Sequence, residues 1–133
     1  MHNSLKNAKG FTLLEILVVV VILATLAGLA TPMYTKSLDS SKRAEAVAVL
    51  GSVRSSEVRY FQENATYTTL FSNLDYDPTV AASYAPDQFA SRKFNYVINT
   101  GNTTALLVTA TLISAPTKTV TINEAGVVAY SGF

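Results

Sequence analysis

The stretch "KGFTLLEILVVVVILATLAGLATP" (residues 9–32) contains an apolar run that is long enough to cross a lipid bilayer. Between Phe11 and Ala30, the residues that are not plainly apolar are Thr12, Glu15, Thr25 and Gly28. A helix over this run rises about 30 Å, which is the thickness of the hydrocarbon layer. The sequence therefore predicts a membrane-spanning helix over residues 11–32, with one carboxylate, Glu15, near its start.

A short polar leader, residues 1–10, precedes the run and carries Lys6 and Lys9 but no acid. Positive charge beside an apolar span holds that end in the cytoplasm, so we expect a single pass with the C-terminal domain outside the cytoplasm.

The whole chain has 10 basic and 9 acidic residues, and without the leader 8 basic residues remain, for a net charge of about −1. Nucleic-acid binding requires a basic stripe, so nucleic acid is not expected as a main partner.

Beyond Pro32 the pattern changes from uniformly apolar to amphipathic. In "KSLDSSKRAEAVAVLGSVRSSEVRYFQEN" (residues 36–64), apolar residues recur near helical spacing at Ala46, Val47, Val49, Leu50, Val53, Val58 and Phe61. Opposite charges four residues apart, Asp39 with Arg43 and Arg59 with Glu63, would each support a helix by a few tenths of a kcal/mol. We therefore predict one long helix that continues to about residue 64.

Two residues should weaken that helix. Pro32 lacks the backbone donor and clashes with the preceding turn, while Gly28 has a low helix propensity. We predict a break or bend near Ala30 and Thr31. The alternative is that Gly28 and Pro32 only mark the point at which the chain leaves the membrane.

The second half of the chain is predicted to be a loop followed by strands. Residues 65–91 lose the periodicity and are rich in Asn, Asp and Pro, which indicates a long loop with one short element. Residues 92–133 contain the strand patterns "KFNYVIN", "ALLVTATLIS", "KTVTIN" and "VVAY", and "EAG" reads as a hairpin turn with Gly126 at positive φ. We predict an α+β fold in which three or four antiparallel strands pack on the amphipathic half of the helix.

Few residues are suited to metal binding or catalysis. The chain has no cysteine, and its single histidine, His2, lies in the leader, so we expect neither a cofactor nor an enzymatic function. Asp75 and Asp77 supply too few of the roughly 6 to 8 oxygens that calcium takes, and a turn is the better interpretation. We predict no metal site.

Three aromatic residues in the strand patterns are expected to pack in the core: Phe94, Tyr96 and Tyr130. Tyr34, just beyond Pro32, suits the membrane interface.

"KGFTLLE" followed by an apolar helix resembles the N-terminus of the type IV pilin family, which includes the pseudopilins of type II secretion. The resemblance extends through the helix to "YFQENATY" (residues 60–67). It implies that a prepilin peptidase of the inner membrane cuts between Gly10 and Phe11, that Phe11 is N-methylated, and that Glu15 is the glutamate of the family. It also implies that Glu15 pairs with the Phe11 amine of a neighbouring subunit.

The resemblance further implies a domain order and a function. Residues 1–10 are a removed leader, residues 11–32 the transmembrane and filament-core segment, and residues 33–133 the globular domain. The subunit is held in the lipid of the bacterial inner membrane. An assembly ATPase and a platform protein then polymerise it into a helical homo-oligomer, which is a periplasmic or extracellular filament.

Several alternatives remain open. Many pilins have a C-terminal disulfide and many major pseudopilins have a tryptophan, and this chain has neither cysteine nor tryptophan. It is therefore compatible with a pilus subunit, a type II secretion pseudopilin or a minor pilin. Another possibility is a monomeric, membrane-anchored binding domain, in which Glu15 would only favour the helix dipole. A secretory signal cut before Thr31 is disfavoured, because signal cores span about 7 to 15 residues and carry no acid.

Overall fold

The computed structural model describes residues 10–80 and 92–133. Its elements, in chain order, are α1 (Leu13–Asn64), a 3-10 helix (Phe71–Asn73), β1 (Phe94–Gly101), β2 (Leu106–Leu112), β3 (Thr119–Asn123) and β4 (Val128–Ser131). The predicted α+β fold, with one long N-terminal helix and a small antiparallel sheet, is confirmed. The leader residues 1–9, including His2, and residues 81–91 of the predicted loop lie outside the described residues. The chain divides into two compact units, Met1–Leu38 and Asp39–Phe133.

The sheet of the second unit is a simple antiparallel meander with strand order β1-β2-β3-β4. Side chains alternate between buried and exposed or half-buried along β1, β2 and β3, because successive residues of a strand point to opposite faces. The buried face consists of Phe94, Tyr96, Ile98, Leu106, Val108, Ala110, Leu112, Val120 and Ile122. This alternation leaves one apolar face, and an amphipathic helix can cover it.

The helix supplies the other side of the same core. Ala46, Leu50 and Val53 are completely buried and belong to one cluster with the sheet residues. The other predicted stripe positions are half-buried: Val47, Val49, Val58 and Phe61. The amphipathic pattern of residues 36–64 thus identified the packing face correctly. Burying a side chain of the size of Leu50 stabilises the fold by about 1.5 to 3 kcal/mol.

The turn between β3 and β4 follows the prediction. Gly126 has φ +81°, a conformation that glycine adopts without a steric penalty. Its amide donates to the Asn123 carbonyl at 2.9 Å, and the Val127 amide donates to the Asn123 side chain at 2.8 Å. These bonds close the hairpin that pairs Ile122 with Val128.

The described part of the predicted loop, residues 65–80, contains one short element, the 3-10 helix Phe71–Asn73, as expected. Asp77 forms the predicted turn, since its Oδ1 accepts bonds from the Thr79 amide at 2.7 Å and from the Thr79 hydroxyl at 2.6 Å. The carboxylate therefore serves the local backbone.

Helix α1 continues without interruption through Gly28 and Pro32. The structure therefore shows no break near residues 30 and 31, and the alternative of a bend there stays a prediction. A proline removes one backbone donor, and in an α-helix the acceptor that loses its partner lies four residues earlier. For Pro32 that acceptor is the carbonyl of Gly28, so the two residues weaken one and the same hydrogen-bonded turn. One missing bond weakens a helix of 52 residues locally without ending it.

The predicted i,i+4 ion pairs are replaced by others. Asp39 pairs with Lys118 at 2.5 Å and with Lys42 at 3.7 Å, instead of with Arg43. Lys118 lies beside β3, so a contact distant in sequence takes the place of a local one.

A similar replacement occurs nearer the end of the helix. Arg59 pairs with Asp75 of the loop at 2.5 Å, instead of with Glu63.

One aromatic prediction is wrong. Phe94 and Tyr96 are buried as expected, but Tyr130 is about half exposed, because β4 is an edge strand with an exposed burial pattern. Its ring lies 5.4 Å from the Arg43 guanidinium, which also lies 5.7 Å from the ring of Phe133. Arg43 thus contacts aromatic rings, where an ion pair with Asp39 had been expected.

Candidate functional site

The candidate site is the N-terminal segment, residues 10–38, which lies in the first compact unit. Phe11 is 79% exposed, and no large apolar side chain from Phe11 to Met33 is less than 48% exposed. An uncovered apolar surface of this extent marks a site of contact with a membrane or another protein. The segment therefore needs a partner that the described residues of the chain do not supply.

By length and composition, α1 is able to cross a membrane, and none of its most apolar 18-residue stretch is buried. The core helix of a soluble domain also passes a test of length and composition, but such a helix is mostly buried. The exposure of this stretch therefore excludes a role in the core of the domain.

The start of α1 is stabilised by Thr12. The Glu15 amide donates to the Thr12 hydroxyl at 3.2 Å and to the Thr12 carbonyl at 3.1 Å. A threonine at the N-cap with glutamate three residues later is the sequence pattern of a capping box. The prediction missed Thr12, although the pattern Thr-x-x-Glu was available to find it. Phe11 and Gly10 precede the helix, and the space around Gly10 is open.

Glu15 is exposed in the first turn of α1, where a negative charge is favoured by the helix dipole. No ion pair of Glu15 is formed among the residues that the structure describes. The only cation in residues 10–38 is Lys36, which lies 21 positions, or about 30 Å, further along the helix. Within residues 10–38, no cation therefore lies close enough along the helix to neutralise Glu15.

The hydroxyls in this segment are bonded within the helix. Thr25 donates to the Ile22 carbonyl at 2.8 Å, and Thr31 donates to the Ala27 carbonyl at 3.1 Å. These contacts hide two polar groups from an apolar environment. Glu15 is then the charged group within the apolar run from Phe11 to Ala30.

The second unit contains a carboxylate that the prediction did not single out. Glu57 is completely buried, its Oε2 accepts a bond from the Thr68 amide at 3.1 Å, and burial raises the pKa of this carboxyl. Its position in the sequence was a usable signal, since residue 57 follows Leu50 and Val53 by seven and four positions on the packing face of the helix.

Asp75 and Asp77 show no metal-binding arrangement. The Ser56 hydroxyl and the Arg59 guanidinium lower the pKa of the Asp75 carboxyl, and Asp77 is bonded to Thr79. Within residues 10–80 and 92–133, no group of three His, Cys, Asp or Glu side chains is placed to hold a metal ion. Asp75 and Asp77 thus take part in local contacts.

A comparison with protein families also points to the N-terminal segment. Residues 5–31 match the family model described as the prokaryotic N-terminal methylation motif. The matched stretch includes Gly10, Phe11, Glu15 and Gly28, and it ends one residue before Pro32.

Two curated relatives are similar over longer stretches. The chain is 31% identical over 70 residues to the type IV major pilin protein PilA of Myxococcus xanthus, covering 53% of this chain and 32% of the relative. It is 36% identical over 69 residues to the type II secretion system core protein G of Klebsiella michiganensis, covering 52% of this chain and 49% of the relative. The similarity thus spans half or less of each relative.

The motif match and the exposed apolar surface lie in the same segment. The exposed apolar helix with Glu15 in its first turn lies where the family model matches. The chain therefore carries the prokaryotic N-terminal methylation motif, and over about half of its length it is similar to a type IV major pilin and to a type II secretion core protein.

Proposed function

We propose that the chain is a structural subunit of a type IV pilus-like filament, and not an enzyme. The observation that carries the proposal is the exposed apolar segment that overlaps the matched motif, in which every large apolar side chain from Phe11 to Met33 is about half or more exposed. Lipid covers such a surface in the membrane, and the same segments of other copies cover it in a filament. The domain of residues 39–133 has its own core and needs no such cover.

Processing creates the partner that Glu15 lacks. A prepilin peptidase cutting between Gly10 and Phe11 leaves a cationic amine at Phe11, and methylation keeps it cationic. In a bundle of apolar helices, Glu15 of one subunit pairs with the Phe11 amine of its neighbour. A register that strands either charge in the bundle is penalised, so the pair selects the register.

Gly28 and Pro32 have a separate role in this proposal. The helix is continuous through them, but the turn between them lacks the hydrogen bond that Pro32 is unable to donate. This turn is the point of the filament-core segment where unwinding costs least. We propose that the segment lengthens there when the filament assembles or is under load.

The localisation and the partners follow from the same proposal. The subunit is held in the bacterial inner membrane as a single pass, with its C-terminal domain outside the cytoplasm. An assembly ATPase and a platform protein of that membrane move it into a helical homo-oligomer. The product is a periplasmic or extracellular filament.

A pseudopilin of type II secretion is the second candidate. It is favoured by the match to a type II secretion core protein, of which 49% is covered, compared with 32% of the pilin. Both candidates use the N-terminal segment in the same way. A minor pilin also remains compatible with this segment.

The experiment that tests the proposal is intact-mass measurement on membrane and filament fractions of the producing cells. We expect a mature chain that begins at Phe11 and carries one N-methyl group. A chain beginning at Thr31 would indicate an ordinary secretory signal. A chain beginning at Met1 would indicate a plain membrane anchor, and either result contradicts the proposal.

A further inference from the structure

Glu57 has a buried carboxyl group of which only one oxygen is hydrogen-bonded. The residue is 0% exposed, and its Oε2 accepts one bond, from the Thr68 amide at 3.1 Å. Its Oε1 is buried and has no hydrogen-bond partner among the residues that the structure describes. A buried ionised carboxylate is strongly disfavoured unless it is paired, whereas the neutral acid is tolerated much better. The surroundings of Glu57 therefore suit the protonated form.

Thr68, the partner of Glu57, connects three parts of the domain. Its hydroxyl accepts bonds from the Leu70 amide at 3.1 Å and from the Asn73 side chain at 3.0 Å. A Cβ on Gly101, at the end of β1, would overlap the Thr68 carbonyl, so the loop and the strand approach as closely as their backbones allow. The Glu57 contact therefore links α1 to the loop and to the turn between β1 and β2.

Among the described residues, no neighbouring charge stabilises an ionised Glu57. The other titratable groups near its position in the chain and in the elements that meet there are Arg54, Arg59, Tyr60, Glu63, Tyr67, Asp75, Tyr76, Tyr96 and Glu124. Arg54 is bonded to the Glu124 carbonyl at 2.7 Å, and Arg59 is paired with Asp75. The causes that act on the Glu57 pKa are burial, which raises it, and the Thr68 amide, which lowers it by a smaller amount.

Two of these neighbours have shifted pKa values of their own. The pKa of Asp75 lies below its usual 3.8, because Ser56 and Arg59 bond to it. The pKa of Tyr76 lies above its usual 10.0, because the phenol is partly buried. Both shifts move these pKa values away from that of an ordinary glutamate.

We propose that Glu57 is a pH-responsive connection: in its neutral form it holds residues 65–74 against α1, and its ionisation loosens them. The closed loop keeps the proton of Glu57, whereas in the opened loop the carboxyl is solvated and loses the proton more easily. Opening is therefore favoured as the pH rises, by linkage. The connection is a property of the single subunit, so it holds whether or not the chain forms filaments.

The direction of the pH dependence of loop opening, and the pH range over which it occurs, follow from the titration of the single Glu57 carboxyl. Below the usual glutamate pKa of 4.5, both the closed and the open states are protonated, and loop opening does not depend on pH. Above it, opening increases by up to about tenfold per pH unit, until Glu57 ionises in the closed state as well. At still higher pH, opening is again constant.

The test is amide hydrogen exchange of residues 65–74 in the full chain in detergent micelles, at a series of pH values. The exchange rates are corrected for the increase in the intrinsic, base-catalysed exchange rate with pH. We expect the corrected opening of the Thr68 and Leu70 amides to rise with pH in the wild type. Glu57→Gln, which keeps the shape and the acceptor but does not ionise, should give a flat profile. Glu63→Gln on the exposed end of the same helix is the matched control and should keep the wild-type profile.

A flat corrected profile in the wild type would overturn the proposal, as would the same slope in Glu57→Gln. Carbon-13 detection of the Glu57 carboxyl gives an independent readout that does not depend on how well a variant folds. Its titration midpoint should lie above 4.5, and a midpoint at or below that value would contradict the proposal.

Discussion

The two halves of α1 are equally helical but have opposite surfaces. Leu23 in the first half is 59% exposed, whereas Leu50 in the second half is completely buried. The second half has polar residues on one side and packs on the sheet, while the first half is apolar all round and is covered by none of the described residues of its own unit. A helix with one apolar stripe can bury that stripe on the core of its own domain. A helix that is apolar all round needs a membrane or other protein around it.

Two of the glutamates in the helix, one in each half, show the opposite contrast. Glu15 is an exposed acid in the apolar half, and Glu57 is a buried acid in the amphipathic half. Glu57 has its partner, Thr68, within the domain, whereas no partner of Glu15 is found in the described chain. This contrast supports the two proposals, that Glu57 acts within the single domain and that Glu15 acts in contacts between copies of the chain.

The largest expected effect comes from removing the first half. A chain that starts at about Ser37 should be soluble, mostly monomeric and unable to form filaments, because the removed segment holds the exposed apolar surface. Light scattering and electron microscopy measure size and filaments. Filaments formed by the truncated chain would show that assembly does not depend on the N-terminal helix.

Glu15→Leu should have the next largest effect. The change improves partition into the bilayer, but it strands the neighbour's Phe11 amine in an apolar bundle, at about 3 to 5 kcal/mol if that pair is buried. We expect filament yield to fall at least tenfold while N-terminal cleavage continues. Glu15→Gln should be intermediate, because it keeps the hydrogen bonding but loses the charge.

The measurements are membrane abundance, processing by mass, and filaments sheared from the cell surface. A plain membrane anchor predicts the opposite outcome, in which leucine is harmless or helpful. Normal filament yield from a correctly processed Glu15→Leu variant would therefore remove Glu15 from the assembly mechanism.

A matched pair of leucines gives the smallest effect and the most direct comparison of the two halves. Leu50→Ala leaves a cavity in the core and should lower the free energy of unfolding of the domain by about 2 to 5 kcal/mol. Leu23→Ala removes the same atoms from the exposed segment and should change that free energy by less than about 0.5 kcal/mol. Chemical denaturation of the full chain in micelles measures both. Equal losses from the two variants would contradict the division of α1 into a core-forming half and an exposed half.

Much of the fold was predictable from local patterns. The packing face of residues 36–64, the four strands and the Gly126 turn were correct, because period, alternation and turn residues are local properties of the chain. The partners of charged residues were not predictable in this way. Asp39 pairs with Lys118 and Arg59 with Asp75, since folding brings these groups together from distant positions.

The candidate site was almost entirely readable from the sequence. Its motif, apolar length and single acid lie in one continuous segment, and Thr12 was missed only because the capping pattern was not applied. The predicted interruption at Gly28 and Pro32 did not appear, because the loss of one hydrogen bond does not end a long helix.

By itself, the sequence determined the α+β class, the membrane-length segment and the likeness to pilins, because each depends on residues that are near neighbours in the chain. Only the tertiary structure decided that Glu57 is buried, that Thr68 meets both α1 and Gly101, and that Tyr130 lies on an exposed edge. Burial depends on which surfaces meet after folding, and that depends on the way in which helix, loop and sheet pack together.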